Sequence, residues 1–183
     1  MYYGLVHFPN IDLNDINRIR SKYDPTADLI APHIGVMPPV PDSIGELNLI
    51  HHIETVLRDW QPFSIQIRGF TKSWDHWLLL TLCAGNQKVV KLHDQIYAGP
   101  LTTYRRTDIE FIPHISLGLF VKSQKEYSFK NPELLEFDAQ LYQRALCEAE
   151  ALRLVFQCTI DKLHLIGLSD DFTNTSSVRV FSL

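Results

Sequence analysis

Apolar residues recur along the chain at two spacings, and the spacings alternate. Residues 2–8 predict an opening strand, closed by Pro9-Asn10. Asp12 stands where a helix cap belongs, and Leu13, Ile16 and Ile19 follow at helical spacing until Asp24-Pro25. Residues 30–36 are a short apolar run that Pro38, Pro39 and Pro41 are expected to stop. Ser43 and Glu46 predict a capping box for a helix with Ile50, Ile53, Leu57 and Trp60 on one stripe. Phe63, Ile65 and Ile67 alternate with Ser64, Gln66 and Arg68, the pattern of a strand with one buried face. Residues 77–83 predict the next strand, after the turn-prone Lys72-Ser73-Trp74-Asp75.

The second half follows a similar plan. Val89, Leu92 and Ile96 mark a helix ended by Gly99-Pro100, and residues 111–121 read as an apolar strand. Asn131-Pro132 predicts the start of another helix, Asn as cap and Pro in the first turn, lined by Leu134, Leu141, Ala145, Ala149 and Leu152. Residues 154–160, 163–166 and 178–181 predict the closing strands. Residues 100–110 and 122–130 are the least periodic and flank the same strand, a common place for substrate contacts. Without a linker, this recurrence predicts an α+β fold, a single two-lobed domain over residues 1–183 in which each lobe has antiparallel strands and a helix or two. Neither G-x-G-x-x-G nor G-x-x-x-x-G-K-[ST] is present, which removes the Rossmann and P-loop readings.

Composition narrows the class further. The chain has 183 residues, 45% hydrophobic and 21% charged, enough to build a core and too apolar for disorder. A formal net charge of −4 argues against long duplex nucleic acid as the main partner, while one phosphate needs only a local pocket. The longest apolar run, residues 77–84, falls far short of the roughly 20 residues that span a bilayer. No charged n-region or long apolar h-region opens the chain, so no signal peptide is expected. Cys83, Cys147 and Cys158 are odd in number and include no Cys-x-x-Cys, which reads as buried or inert thiols in a reducing cytoplasm.

Eight histidines carry the candidate chemistry. His51 and His52 sit in a predicted helix and cannot both face one way, and His7, His76 and His93 read as ordinary surface or partly buried residues. No His-x-x-x-His or His-Glu-x-x-His appears, and no acidic cluster accompanies a histidine, so neither a metal nor a cofactor is expected. No Gly-x-Ser-x-Gly elbow supports a serine nucleophile. Two segments stand apart, Ala31-Pro32-His33-Ile34-Gly35-Val36 and Ile112-Pro113-His114-Ile115-Ser116-Leu117, with their histidines 81 positions apart. In a strand, residues i and i+2 share a face, so His114 and Ser116 project together while Ile115 packs the other way. Two imidazoles with ordinary pKa near 6.5 can serve as neutral base and charged acid at one pH. Hydroxyls and backbone N–H groups beside them can hold phosphate oxygens.

These residues resemble the 2H phosphoesterase superfamily, which includes the RNA 2′,3′-cyclic phosphodiesterases historically called 2′-5′ RNA ligases. The family has two His-x-[Thr/Ser]-x motifs, one per lobe, facing across a cleft. His114-Ile115-Ser116-Leu117 matches in full, and the approach from Asp24 to His33 and the closing Asp161-Lys162-Leu163-His164 and Val178-Arg179-Val180-Phe181 segments also look like the family. The first motif departs from the pattern at Gly35, which supplies no hydroxyl. The resemblance implies two lobes related by a pseudo-two-fold axis with outer helices. It implies hydrolysis of a cyclic phosphodiester without metal, with His33 and His114 as acid/base pair and Ser116 and Gly35 on the phosphate. The expected partner is a small phosphodiester, nucleotide or RNA end, met by a monomer; a non-catalytic nucleotide- or RNA-end-binding protein with a degenerate first motif is the alternative. Tyr104, Arg105 and Arg106 could stack a base and pair a phosphate, or simply belong to a solvated loop. Lys162 and His164 share one strand face, either solvent-facing or lining the cleft.

Overall fold

The computed structural model describes residues 1–124 and 135–183. Its elements run β1 (Tyr2–His7), α1 (Asn14–Tyr23), β2 (Ile34–Pro41), α2 (Glu46–Leu57), β3 (Phe63–Lys72), β4 (Trp77–Ala84), α3 (Asn86–Ile96), β5 (His114–Leu119), α4 (Ala139–Ala151), β6 (Val155–Ile160), β7 (Lys162–Leu168) and β8 (Thr175–Ser182). A 3₁₀ turn, Gly99–Tyr104, follows α3. The strands pair into two antiparallel four-stranded sheets, ordered β2-β1-β7-β8 and β5-β4-β3-β6. The expected α+β fold with two antiparallel lobes is therefore what forms. The lobes are not the two halves of the chain, however: the first sheet takes the first two and the last two strands, and the second takes everything between.

Within this plan one unit occurs twice: strand, helix, loop, Pro-His, strand. It runs as β1-α1-β2 and as β4-α3-β5, and in each case the two strands of the unit pair with each other. The helices then pack on the opposite unit. α1 lies on β5, and α3 lies on β2. This exchange brings β2 and β5, the edge strands of the two sheets, alongside each other. The main core fills the space between sheets and helices, with Leu5, Ile16, Ile34, Ile53, Leu80 and Ile115 fully buried.

Local sequence explains most boundaries. Asp12 accepts the Asn14 N–H at the start of α1, and Asp24-Pro25 ends the helix, because the residue before a proline avoids helical geometry. β2 starts only at Ile34 and continues through Pro38, Pro39 and Pro41, where a stop was expected. An edge strand tolerates prolines, whose missing N–H need not meet a neighbour, and the register with β1 shifts at this point. Ser43 and Glu46 form no capping box; the residue preceding α2 is Gly45, and it makes no side-chain cap. β5 is shorter than the 111–121 run, since Pro113 bounds it, and residues 120 and 121 turn away toward an isolated bridge between Val121 and Phe137. α4 begins at Ala139, capped by the Asp138 carboxylate on the Leu141 N–H; the helix start expected at Asn131-Pro132 lies outside the described residues. Cys83 and Cys147 are exposed rather than buried, and Cys158 is half-buried; all three are free thiols. No helix among the described residues is long and apolar enough to cross a membrane.

Gly118 shows how tightly the exchanged helix sits. A Cβ there would lie 2.5 Å from the Tyr23 Cβ and 3.1 Å from the Tyr23 carbonyl oxygen, so only glycine lets the end of α1 rest on β5. Gly118→Ala is expected to cost about 1–3 kcal/mol through forced displacement of α1, read as a lower midpoint in urea unfolding with an unchanged m value.

Candidate active site

The paired Pro-His segments converge where β2 and β5 meet. His33 immediately precedes β2, and His114 is the first residue of β5. Each imidazole is tethered in the same way: Nδ1–H donates to the backbone carbonyl two residues back, Ala31 for His33 at 2.9 Å and Ile112 for His114. A carbonyl can only accept, so Nδ1 carries the proton in both neutral rings and each Nε2 keeps a lone pair. One local sequence pattern thus produces two oriented bases.

Alternation sets the faces. His33 and Gly35 alternate with the fully buried Ile34 and Val36. His114 and Ser116, both half-buried, alternate with the fully buried Ile115 and Leu117. All four candidate residues therefore lie on the faces that point away from the main core. Gly35 is open: a Cβ there would have no heavy atom within 4 Å.

Electrostatics hold both rings neutral. Burial pushes the His33 imidazole down to about 4, the Ala31 carbonyl offsets part of this, and the Arg20 and His114 charges push it further down while Asp24 pulls it up. Burial also lowers His114, against the opposing pull of the Ile112 carbonyl and the Asp75 carboxylate. At neutral pH both rings are therefore uncharged, and an arriving anion would favour protonation of the ring it touches.

A support network lies beneath His33. Arg20 on α1 and Asp24, the residue at its C-terminal cap, form an ion pair of 2.7 Å whose side chains are 3% and 0% exposed. Arg20 also donates to the Ile30 carbonyl, and Asp24 accepts from the backbone N–H and the hydroxyl of Thr26. Thr175 on β8 donates to the Leu29 carbonyl. The segment that delivers His33 is thus pinned along residues 24–30. Sequence reasoning missed this pair, although Arg and Asp four apart on a helix just before a proline was the available signal.

The remaining candidates divide. Arg105 pairs with Asp94 on α3 at 2.6 Å, Arg106 makes a two-pronged pair with Asp108 and lies over the Trp74 ring, and Tyr104 is half-buried against the main core. None of these three is brought into contact with either histidine by a described interaction. Lys162 and His164, in contrast, lie on the same face of their sheet as His33, since Val6 pairs with both Gly35 and His164. Phe8 joins them, with its ring 6.1 Å from that of His33 and 5.0 Å from that of His164. His93 is no surface residue. It is buried, donates from Nδ1 to the Val36 carbonyl, and stacks on Phe111 at 3.7 Å, joining β2 to the approach of β5.

Comparison with known proteins agrees with this architecture. The family model described as the 2′-5′ RNA ligase superfamily matches residues 8–171. A Bacillus licheniformis protein named "Putative phosphoesterase" is 28% identical over 121 residues, covering 64% of this chain and 70% of its own. Among solved structures, apo LigT of E. coli superposes with a TM-score of 0.58 at 12% identity, covering all of this chain and 96% of LigT. Usb1 of Kluyveromyces marxianus, solved with uridine monophosphate, gives 0.51 at 11% identity, with 96% of each chain covered.

Proposed function

The chain belongs to the 2′-5′ RNA ligase superfamily of phosphoesterases, and from that membership we propose that it opens a cyclic phosphodiester, the 2′,3′-cyclic phosphate of an RNA end or nucleotide, by acid–base catalysis between His33 and His114 without a metal. The observation that carries this is the matched pair of imidazoles, each fixed through Nδ1 with Nε2 left for chemistry. One neutral Nε2 takes a proton from water as its oxygen bonds to phosphorus. The other ring, protonated, gives its proton to the departing ribose oxygen as that P–O bond breaks. The product is a phosphomonoester, one water has been added, and the two rings have exchanged protonation states. Ser116, on the same face as His114, donates its hydroxyl to a non-bridging oxygen, and the Gly35 backbone lies at the equivalent place beside His33. In support, LigT has also been solved with 3′-AMP, a phosphomonoester nucleotide.

The direct test is hydrolysis of nucleoside 2′,3′-cyclic monophosphates and of a short RNA ending in a cyclic phosphate, with EDTA present. Turnover is expected; tight binding of nucleotide without turnover on either substrate would overturn the reading in favour of a binding protein.

Gly35 gives a second check. The family's motif carries Thr or Ser at this position, and a Cβ added at Gly35 meets no heavy atom within 4 Å. A restored hydroxyl would donate to a charged phosphate oxygen, a bond contributing about 1.5–3 kcal/mol. Gly35→Thr is accordingly expected to raise kcat/KM roughly tenfold or more. A fall would show that the site is adapted to the glycine instead.

A further inference from the structure

Beyond the two histidines, the face of the first sheet that His33 shares carries one unused cation and one unused imidazole. Lys162 and His164 alternate along β7 with the fully buried Leu163 and Leu165, so both side chains stand on the face that His33 and Gly35 share. The register runs across that face from Gly35 through Val6 to His164 and on to Val180. β7 lies two strands from β2, which separates His164 from Gly35 by roughly 10 Å of sheet. The Phe8 ring lies between, edge-on to both His33 and His164.

Three features separate this patch from ordinary surface charge. Lys162 is exposed, and no described carboxylate pairs with it. Asp161, its neighbour in sequence, acts on His164 through space. Val180, directly across from His164, stays 46% exposed, an apolar surface beside the cation and the imidazole. A cation, a hydrogen-bonding imidazole and an apolar floor, next to a site for a phosphodiester, match a second phosphate carried by a sugar.

The geometry points to a second anion subsite at Lys162 and His164, which holds the phosphate on the 5′ side of the terminal ribose while His33 and His114 act on its cyclic phosphate. This rests on the phosphoesterase reading above and deepens it. Substrates with a phosphate on both sides of the terminal ribose are favoured over simple nucleoside cyclic phosphates. Lys162 supplies the charge, and neutral His164 donates from a ring nitrogen. Such a phosphate has two sources, the internucleotide linkage of an RNA end and the 5′-phosphate of a free nucleotide.

Calorimetric titration of the full chain with three product-like ligands separates these possibilities: 3′-AMP, adenosine 3′,5′-bisphosphate, and the dinucleotide ApAp bearing a 3′-phosphate. One charge-assisted contact is expected to make the doubly phosphorylated ligands bind roughly tenfold tighter than 3′-AMP. Lys162→Ala and Lys162→Glu should each bring that ratio toward one, the glutamate further. For ApAp, Lys162→Ala should also flatten the slope of log affinity against log salt by about 0.7. A gain for ApAp identifies an RNA end as the occupant, and a gain for the bisphosphate alone identifies a free nucleotide. Equal affinities of wild type for all three ligands would overturn the subsite while leaving the phosphoesterase reading intact. Failure to bind any of them, with no turnover of cyclic phosphates, would overturn both.

Discussion

His114→Ala is expected to reduce hydrolysis of a 2′,3′-cyclic phosphate by about 10²- to 10⁴-fold, the usual contribution of one positioned acid or base. The loss should fall on kcat, with binding of 3′-AMP changed only a few-fold, because the ring acts on protons in flight rather than on the resting phosphate. His33→Ala should lose as much, and the double variant little more than either, since acid and base work as a pair. The pH profile supplies an independent readout. Burial lowers both imidazoles, His33 to about 4, so in the free enzyme the singly protonated pair exists only on the acid side of neutrality. The bell in kcat/KM should therefore lie at acid pH. A bound phosphodiester anion stabilises the imidazolium and raises its pKa, so the bell in kcat should sit at higher pH. Retention of more than a tenth of wild-type turnover by His114→Ala would remove His114 from the acid–base pair.

Much of this site can be read in the sequence because its elements are local. Each Pro-His-Ile segment determines its own tether, since the carbonyl that accepts from Nδ1 is only two residues away. Period-two alternation then places Ser116 beside His114 without knowledge of any partner strand. Features that depend on distant pairing were not legible in this way. The recurrence of strands and helices along the chain points to two sequential halves, yet β7 and β8 return to the first sheet, a choice made by strand pairing across the whole chain. The same return decides that Lys162 and His164 share the sheet face of His33, which alternation alone leaves open. Three prolines looked like a strand terminator because a sequence does not reveal which strand will lie at an edge. Arg20 and Asp24, two charged residues at the end of a helix, carry no local mark of burial in the sequence. Arg20, Tyr23 and Asp24 are buried where the end of α1 meets its own loop and β5, while Ser21 and Lys22 between them stay exposed.

Asp24→Ala is the second large expectation, and it separates two roles of that buried pair. Removing the carboxylate strands a guanidinium that is 3% exposed, which typically costs about 3–5 kcal/mol of folding stability. It also releases the two Thr26 contacts that shape the approach to His33. The Arg20 charge, no longer opposed, should push His33 below its already low value and move the acid limb of kcat/KM to still lower pH. Chemical denaturation reads the first effect and the pH–rate profile the second; a stability loss under about 1 kcal/mol would mean that the pair is solvated in solution. Replacing both partners with apolar residues, as in Arg20→Met/Asp24→Leu, discriminates further. Well-packed apolar substitutes for a buried pair are often neutral or stabilising, so the double variant should recover most of the stability lost in Asp24→Ala. It cannot recover the hydrogen bond to the Ile30 carbonyl or the Thr26 contacts, so residues 24–30 would lose their anchors and His33 its fixed position. A stable but slow double variant would show that the charges are retained to place a catalytic imidazole rather than to hold the fold together.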